Sequence, residues 1–172
     1  PDTVAAAFNK TVKHDFNNGI GNYNFKNGIV NIKAPRTFGA ASAGKMPETC
    51  KMNATISFEK NTRDFGLMFR TSDDFDKSYY IRLEPQKNRV VFDMWPRSRA
   101  EVNQMVELER DIELSPGTPV SLQVFVEGNK GVAYVNNIVA MNFRAYDIPE
   151  GNWGVFVTDG SASFRDTGIM SL

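Results

Sequence analysis

The feature that most constrains this chain is a two-residue period. From Cys50 to Glu59, the residues Cys50, Met52, Ala54, Ile56 and Phe58 alternate with Lys51, Asn53, Thr55, Ser57 and Glu59. Side chains on a strand point alternately to opposite faces, so this stretch makes one dry face and one wet face. The scheme recurs from Val120 to Glu127, where Val120, Leu122, Val124 and Val126 oppose Ser121, Gln123, Phe125 and Glu127. No segment sustains the 3.6-residue apolar stripe of an amphipathic helix.

Three middle segments read as an antiparallel meander. Phe65, Leu67 and Phe69 share one side of the first, Tyr79, Ile81 and Leu83 of the second, and Val90, Phe92 and Met94 of the third. The polar runs Ser72 to Lys77 and Pro85 to Asn88 connect them as turns. Further strands are expected over Gly131 to Val135, Ile138 to Phe143, Trp153 to Thr158 and Ser161 to Ile169. Asn136-Asn137 and Asp159-Gly160 read as hairpin turns between them. Toward the N-terminus, Asn17-Asn18-Gly19, Asn27-Gly28 and Ala34-Pro35 separate short strands, and Thr3 to Lys13 is either a strand or a short helix. Many short strands with regular turns define an all-β fold, a β-sandwich of the jelly-roll, concanavalin-like kind.

At 172 residues the chain is expected to form a single domain, residues 1 to 172, burying roughly 70% of its unfolded surface. It begins at Pro1 without a signal peptide and reads as a piece of a larger protein. Twenty Lys and Arg balance twenty Asp and Glu. That balance argues against a nucleic-acid groove or an anionic-membrane binder, both of which need a basic excess. One Cys and one His leave no internal disulfide and no zinc site of the usual type.

The wet side of the meander carries the chemistry. Opposite the dry residues stand Met68 and Arg70, then Tyr80, Arg82 and Glu84, then Val91, Asp93 and Trp95. In antiparallel neighbours such side chains lie side by side. Two readings stand: a cross-strand ladder of ion pairs, or a sugar site. For a sugar, the C–H face packs on Tyr80 or Trp95, and the hydroxyls bond to the guanidinium forks of Arg70 and Arg82 and to Glu84 and Asp93. Arg97 and Asp159, at strand ends, are rim candidates. Asp73, Asp74 and Asp76 could gather calcium, but they lack the glycine and distal glutamate of an EF-hand loop, so a turn is expected and no cofactor. His14 reads as a surface or turn residue and Cys50 as a buried, inert thiol. Glu101, Glu107, Glu109, Asp111 and Glu113 read as solvated strand surface.

The stretches Asp64 to Asp74, Tyr79 to Pro85 and Asn88 to Arg97, with Val132 to Asn136 and Gly151 to Val157, resemble the β-sandwich that accompanies glycoside hydrolase family 32 enzymes: invertases, levanases and inulinases. The resemblance spans Asp64 to Phe164. The catalytic propeller of those enzymes carries Asn-Asp-Pro-Asn-Gly, Arg-Asp-Pro and Glu-Cys. Here Arg63-Asp64-Phe65 lacks the proline and Glu48-Thr49-Cys50 has a residue inserted, so the resemblance implies no catalytic role. Within it the chain is most similar to family 66 carbohydrate-binding modules, which hold the terminal fructose of fructans and favour levan. The resemblance implies a polysaccharide or oligosaccharide ligand, a linked catalytic domain, and a secreted or cell-surface bacterial location. The alternatives are a structural sandwich that packs on a family 32 propeller, or a sandwich for another glycan.

Overall fold

The computed structural model describes residues 2–97 and 108–172. A short helix, α1 (Asp2–Ala7), is followed by β1 (Lys10–Thr11), β2 (Asn18–Ile20), β3 (Asn22–Lys26) and the long β4 (Ile29–Lys45). Then come β5 (Thr49–Phe58), β6 (Asp64–Thr71), β7 (Ser78–Glu84), β8 (Arg89–Trp95) and β9 (Leu108–Asp111). The chain ends with β10 (Val120–Glu127), β11 (Lys130–Val135), β12 (Val139–Arg144) and the 20-residue β13 (Asn152–Ser171). Thr3 to Lys13 thus splits into a helix and a two-residue strand. Of the expected acidic strand surface, Glu109 and Asp111 fall on β9, whereas Glu101 and Glu107 lie outside the described residues.

Every pairing is antiparallel, and β13 organises them. Its first half pairs with the second half of β4 and with β6, from which β7, β8 and β9 follow. Its second half pairs with the first half of β4 and with β5, from which β10, β11 and β12 follow. Two long strands that bend from one layer into the other give the sandwich its corner. Asp159-Gly160 was expected to be a hairpin turn, and the structure corrects this. The pair is a kink inside β13, with φ of 48° at Asp159 and a register shift between Thr158 and Gly160. A left-handed residue followed by glycine re-aims the strand without ending its ladder. Asn136 and Asn137 do turn a hairpin, both at positive φ, as a tight turn between right-twisted strands requires.

The core lies between the layers. Burial alternates residue by residue along β5, so its periodicity translates directly into an inner and an outer face. In one layer Tyr79 stacks on Phe69 and on Phe92, and these two meet Phe143 of the other, with Phe92 stacked on Phe143 at 4.7 Å between ring centres. Trp153 is fully buried, and His14 packs edge-on against it at 5.3 Å, so His14 serves the packing of the N-terminal segment. Burial pushes the Cys50 thiol up to about 12, which keeps it protonated and inert. Phe125, on the outward parity of β10, is nevertheless buried because Phe8 lies against it, with 5.4 Å between ring centres.

Strands β6 and β7 approach so closely at Gly66 that a Cβ there would sit 2.0 Å from the Ile81 carbonyl oxygen. A backbone oxygen cannot move aside as a flexible side chain can. Gly66→Ala is therefore expected to cost about 2–4 kcal/mol by forcing the two strands apart, a loss that urea unfolding would measure.

Candidate functional site

Register decides which side chains meet on the outward side of the β6–β9 layer. Tyr80 pairs with Asp93, Arg82 with Val91, and Glu84 with Arg89. On the other flank Arg82 pairs with Gly66, Gly66 with Phe156, and Asp64 with Thr158. These rows enclose a pocket of about 370 Å³. Six of the eight residues expected from the sequence line it: Tyr80, Arg82, Glu84, Asp93, Trp95 and Arg97.

Its polar wall is a charge network. Arg82 donates from Nε to Glu84 at 2.9 Å and from Nη1 to Asp93 at 2.6 Å. Arg97 bonds both oxygens of Asp93, at 3.1 and 3.0 Å, and the Met94 amide donates to Asp93 at 2.8 Å. Arg89 bridges Glu84 to Glu109. The side chains of Arg82, Glu84, Asp93 and Arg89 are 9–17% exposed, so these pairs lie largely out of water. Burial opposes the charge of Glu84, but the hydrogen bond from Arg89 and the charge of Arg82 outweigh it and hold the carboxyl below its usual range. Asp93 is likewise opposed by burial and lowered by its bonds from Arg97 and Arg82. On Arg82, burial is outweighed by the bond and charge of Asp93, so its pKa is raised.

The apolar wall stands beside it. Tyr80 meets Phe156 edge to face at 5.0 Å, and Phe38 stacks on Phe156 at 6.1 Å. Met68, expected on the wet side, is fully buried behind them with Ala40 and Phe75. This outer face therefore has a small apolar core of its own. Trp95 stands at the rim, 60% exposed. Burial pushes the Tyr80 hydroxyl up, so it remains a hydrogen-bond donor. The site thus offers an aromatic surface, fixed guanidinium donors and ionised acceptors, the combination that a polyhydroxylated ring can satisfy.

Two expected residues are elsewhere. Arg70 leaves the pocket because β6 bulges: Met68 pairs with Gly154 but Thr71 with Asn152, so two residues of β6 oppose Trp153 alone. With φ of 50°, Arg70 turns away and is buried. Its guanidinium donates to the carbonyls of Ala145 and Ile148, both at 3.2 Å, and of Gly128. Asp159 sits at the kink in β13, where its carboxylate accepts from the Arg36 amide at 2.9 Å, outside the pocket lining. In the turn after β6, Asp74 accepts from the Ser72 hydroxyl at 2.7 Å and the Asp76 amide at 3.0 Å, while Asp73 accepts from Asn152. Asp74 thus closes its own turn and Asp73 ties that turn to β13, and no group of acidic, Cys or His side chains with metal-holding geometry occurs among the described residues.

The pocket also contains residues outside the expected set. Asp64 shares its parity with Met68 on β6, and Arg89 shares its parity with Asp93 on β8, so alternation alone marks both. Phe38, Phe156 and Thr158 come from strands whose adjacency to the meander only the β13 pairing reveals.

The fold is that of known carbohydrate-binding sandwiches. The family 66 carbohydrate-binding module from Bacillus subtilis superposes with a TM-score of 0.76 at 15% identity, covering 88% of this chain and 92% of that one. A β-fructofuranosidase from Aspergillus kawachii matches with a TM-score of 0.64 at 14% identity, over 99% of this chain and 29% of that one. The exo-inulinase from Aspergillus awamori matches with a TM-score of 0.62 at 11% identity, over 98% of this chain and 30% of that one. The chain thus spans nearly all of the bacterial module and under a third of the length of the fungal enzymes. No family model and no curated protein sequence matches the chain. The expected resemblance therefore holds at the level of the fold.

Two outcomes follow from the geometry. Arg70→Ala is expected to remove about 3 kcal/mol of stability, because three loop carbonyls lose their donor, while leaving the pocket network intact; thermal melting reads the first and crystallography the second. Glu84 and Asp93 have folded pKa values below their unfolded ones. Their contribution is thus present above the unfolded value, about pH 4, and is lost as pH falls through the folded values. Melting temperature should decline on that acid limb, and less so in Glu84→Gln.

Proposed function

We propose that this chain is a non-catalytic carbohydrate-binding module whose pocket takes the terminal fructose unit of a β-fructan, levan in the first place and inulin in the second. The observation that carries the reading is the largely buried Arg82–Glu84–Asp93 network set against the Tyr80–Phe156 wall. Its position in a fold shared with a family 66 module supports it. A flat lattice of exposed ion pairs would contribute little and enclose nothing. Here the charges are oriented in a pocket large enough for one or two sugar rings, at the small end of ligand sites.

In this reading Arg82, Arg89 and Arg97 pre-orient Glu84 and Asp93. Each carboxylate oxygen has two acceptor positions, so sugar hydroxyls can donate to an oxygen already held by an arginine. Tyr80 and Phe156 receive a C–H face, and Trp95 walls the entrance. The whole chain acts as one module. Its partners are the polysaccharide and a linked family 32 hydrolase, which it would keep on extracellular substrate. A single site of this size gives a Kd of roughly 10 µM to 1 mM, and several tethered modules on one polymer raise the avidity.

The test is affinity electrophoresis through gels containing levan, inulin or a neutral glucan, with free fructose as competitor. Levan should retard the protein and fructose should reverse the retardation. Arg82→Ala should weaken binding at least about tenfold, or about 1.4 kcal/mol, without loss of the folded state. Retardation by the glucan alone, or wild-type affinity in Arg82→Ala, would overturn the assignment. The structures of the fungal enzymes favour a second reading, in which the sandwich packs on its own catalytic propeller. Co-elution with such a propeller in the absence of any fructan binding would establish it.

A further inference from the structure

Asp64 stands in the pocket wall outside the bonded network of Arg82, Glu84 and Asp93. Asp64 opens β6 with its side chain 6% exposed. Its Oδ1 is enclosed and has no hydrogen-bond partner. Its Oδ2 lies 3.8 Å from Nε of Arg63, whose own side chain is 69% exposed and therefore well screened. The groups around Asp64 come from every neighbouring element. Thr158 faces it from β13, with Asp159 one residue on. From β7, Arg82 and Glu84 face it; one step from the Phe65–Leu83 pair, Glu84 falls beside Asp64. From β8, Arg89 and Asp93 bond to Glu84 and Arg82 in turn, and Lys87 lies at the pocket edge.

An ionised Asp64 would put a second carboxylate beside Glu84, with one oxygen buried and unsatisfied. That is a costly arrangement. As the neutral acid, the same side chain needs no counter-charge, and the enclosed Oδ1 is an ordinary carbonyl oxygen. Burial, the largest influence, pushes the carboxyl above its usual range; the charge of Glu84 adds to this, against a bond from Thr158 and the charges of Arg82 and Arg63.

We propose that Asp64 serves the pocket as the protonated acid, its Oδ2 hydroxyl donating to an oxygen of the bound sugar while Glu84 and Asp93 beside it act as ionised acceptors. This rests on the carbohydrate reading above. Sugar in the pocket displaces water and accepts the Asp64 proton in a hydrogen bond, both of which favour the neutral acid over the ion. The proton is therefore held more tightly in the complex than in the free protein. Binding takes up a proton from solvent as pH rises past the free value, and affinity is greatest on the acid side and declines between the free and bound pKa values. Glu84 and Asp93, both lowered, remain ionised through that window.

The test measures binding of a levan oligosaccharide by calorimetry from about pH 4 to about pH 8, in wild type, Asp64→Asn and Asp64→Ala. The wild-type Kd should rise about threefold or more across the range. Asp64→Asn keeps a donor and an acceptor but cannot ionise, so it should hold the acid-side affinity with less than about a twofold change. Asp64→Ala should bind more weakly throughout. An Asp64→Asn variant with the wild-type slope, or wild-type binding that is flat or tightens as pH rises, would overturn the proposal. Carbon-13 carboxyl spectra of the free protein give an independent measure. Asp64 should titrate above Glu84 and Asp93, and titration together with them would also overturn it. If no fructan binds at any pH, it is the fructan reading that fails, and the carboxyl titration decides the protonation of Asp64 by itself.

Discussion

The backbone hydrogen bonds along β13 hold the two layers together, and the other strands are placed by them. Its twenty residues pair with β4 and finally β1 on one edge, and with β6 and then β5 on the other. A strand that long would run straight out of a small sandwich. It stays within this one because the chain turns at Asp159-Gly160, where a left-handed residue and a glycine re-aim the strand while its neighbours remain paired. The two layers are thereby joined through a shared strand and held face to face. The aromatic contacts between β6–β8 and Phe143 follow from that geometry.

The same strand makes the pocket. Phe156 and Thr158 lie on its first half, beside Gly66 and Asp64 of β6. Without that adjacency the charged face of β7 and β8 would be an open ladder facing solvent. With it, an apolar wall stands against one flank of the network, and the arginine–carboxylate bonds lie largely out of water. Burial makes such a network expensive to assemble and still more expensive to break, because removing one partner leaves the other's charge uncompensated. The arginines shared between carboxylates resolve this for Glu84 and Asp93. Asp64 has no bonded guanidinium of that kind, and its departure from the others follows from that difference.

The bulge at Arg70 shows how far local pattern carries and where it stops. Alternation placed Met68 and Arg70 on the same face as Tyr80 and Arg82, and for Met68 the parity holds. One extra residue in β6 reverses the parity beyond it, and Arg70 becomes a buried clamp on three loop carbonyls. Nothing in the residues near Arg70 announces the extra residue, since its cause is the pairing with Asn152 and Gly154, more than 80 positions away. Asp159-Gly160 failed as a turn for a related reason. A left-handed step followed by glycine serves equally in a hairpin and in a kink, and long-range pairing selects between them. Phe125 faces outward as its parity requires, and its burial is decided by Phe8.

Local pattern alone yields the class of fold, most strand limits from β5 to β12, and the residues of β7 and β8 that carry the polar chemistry. Those properties are local: a period of two assigns faces, and neighbouring strands in a meander bring Tyr80, Arg82, Glu84, Asp93 and Trp95 into one patch whatever the rest of the chain does. Long-range pairing alone makes the patch a pocket, walls it with Phe38, Phe156 and Thr158, removes Arg70 from it, and places Asp64 in it with an unpartnered oxygen. Each of these depends on which distant strands share a ladder and in what register, and register is set by the packing of the whole sandwich rather than by any stretch of residues within it.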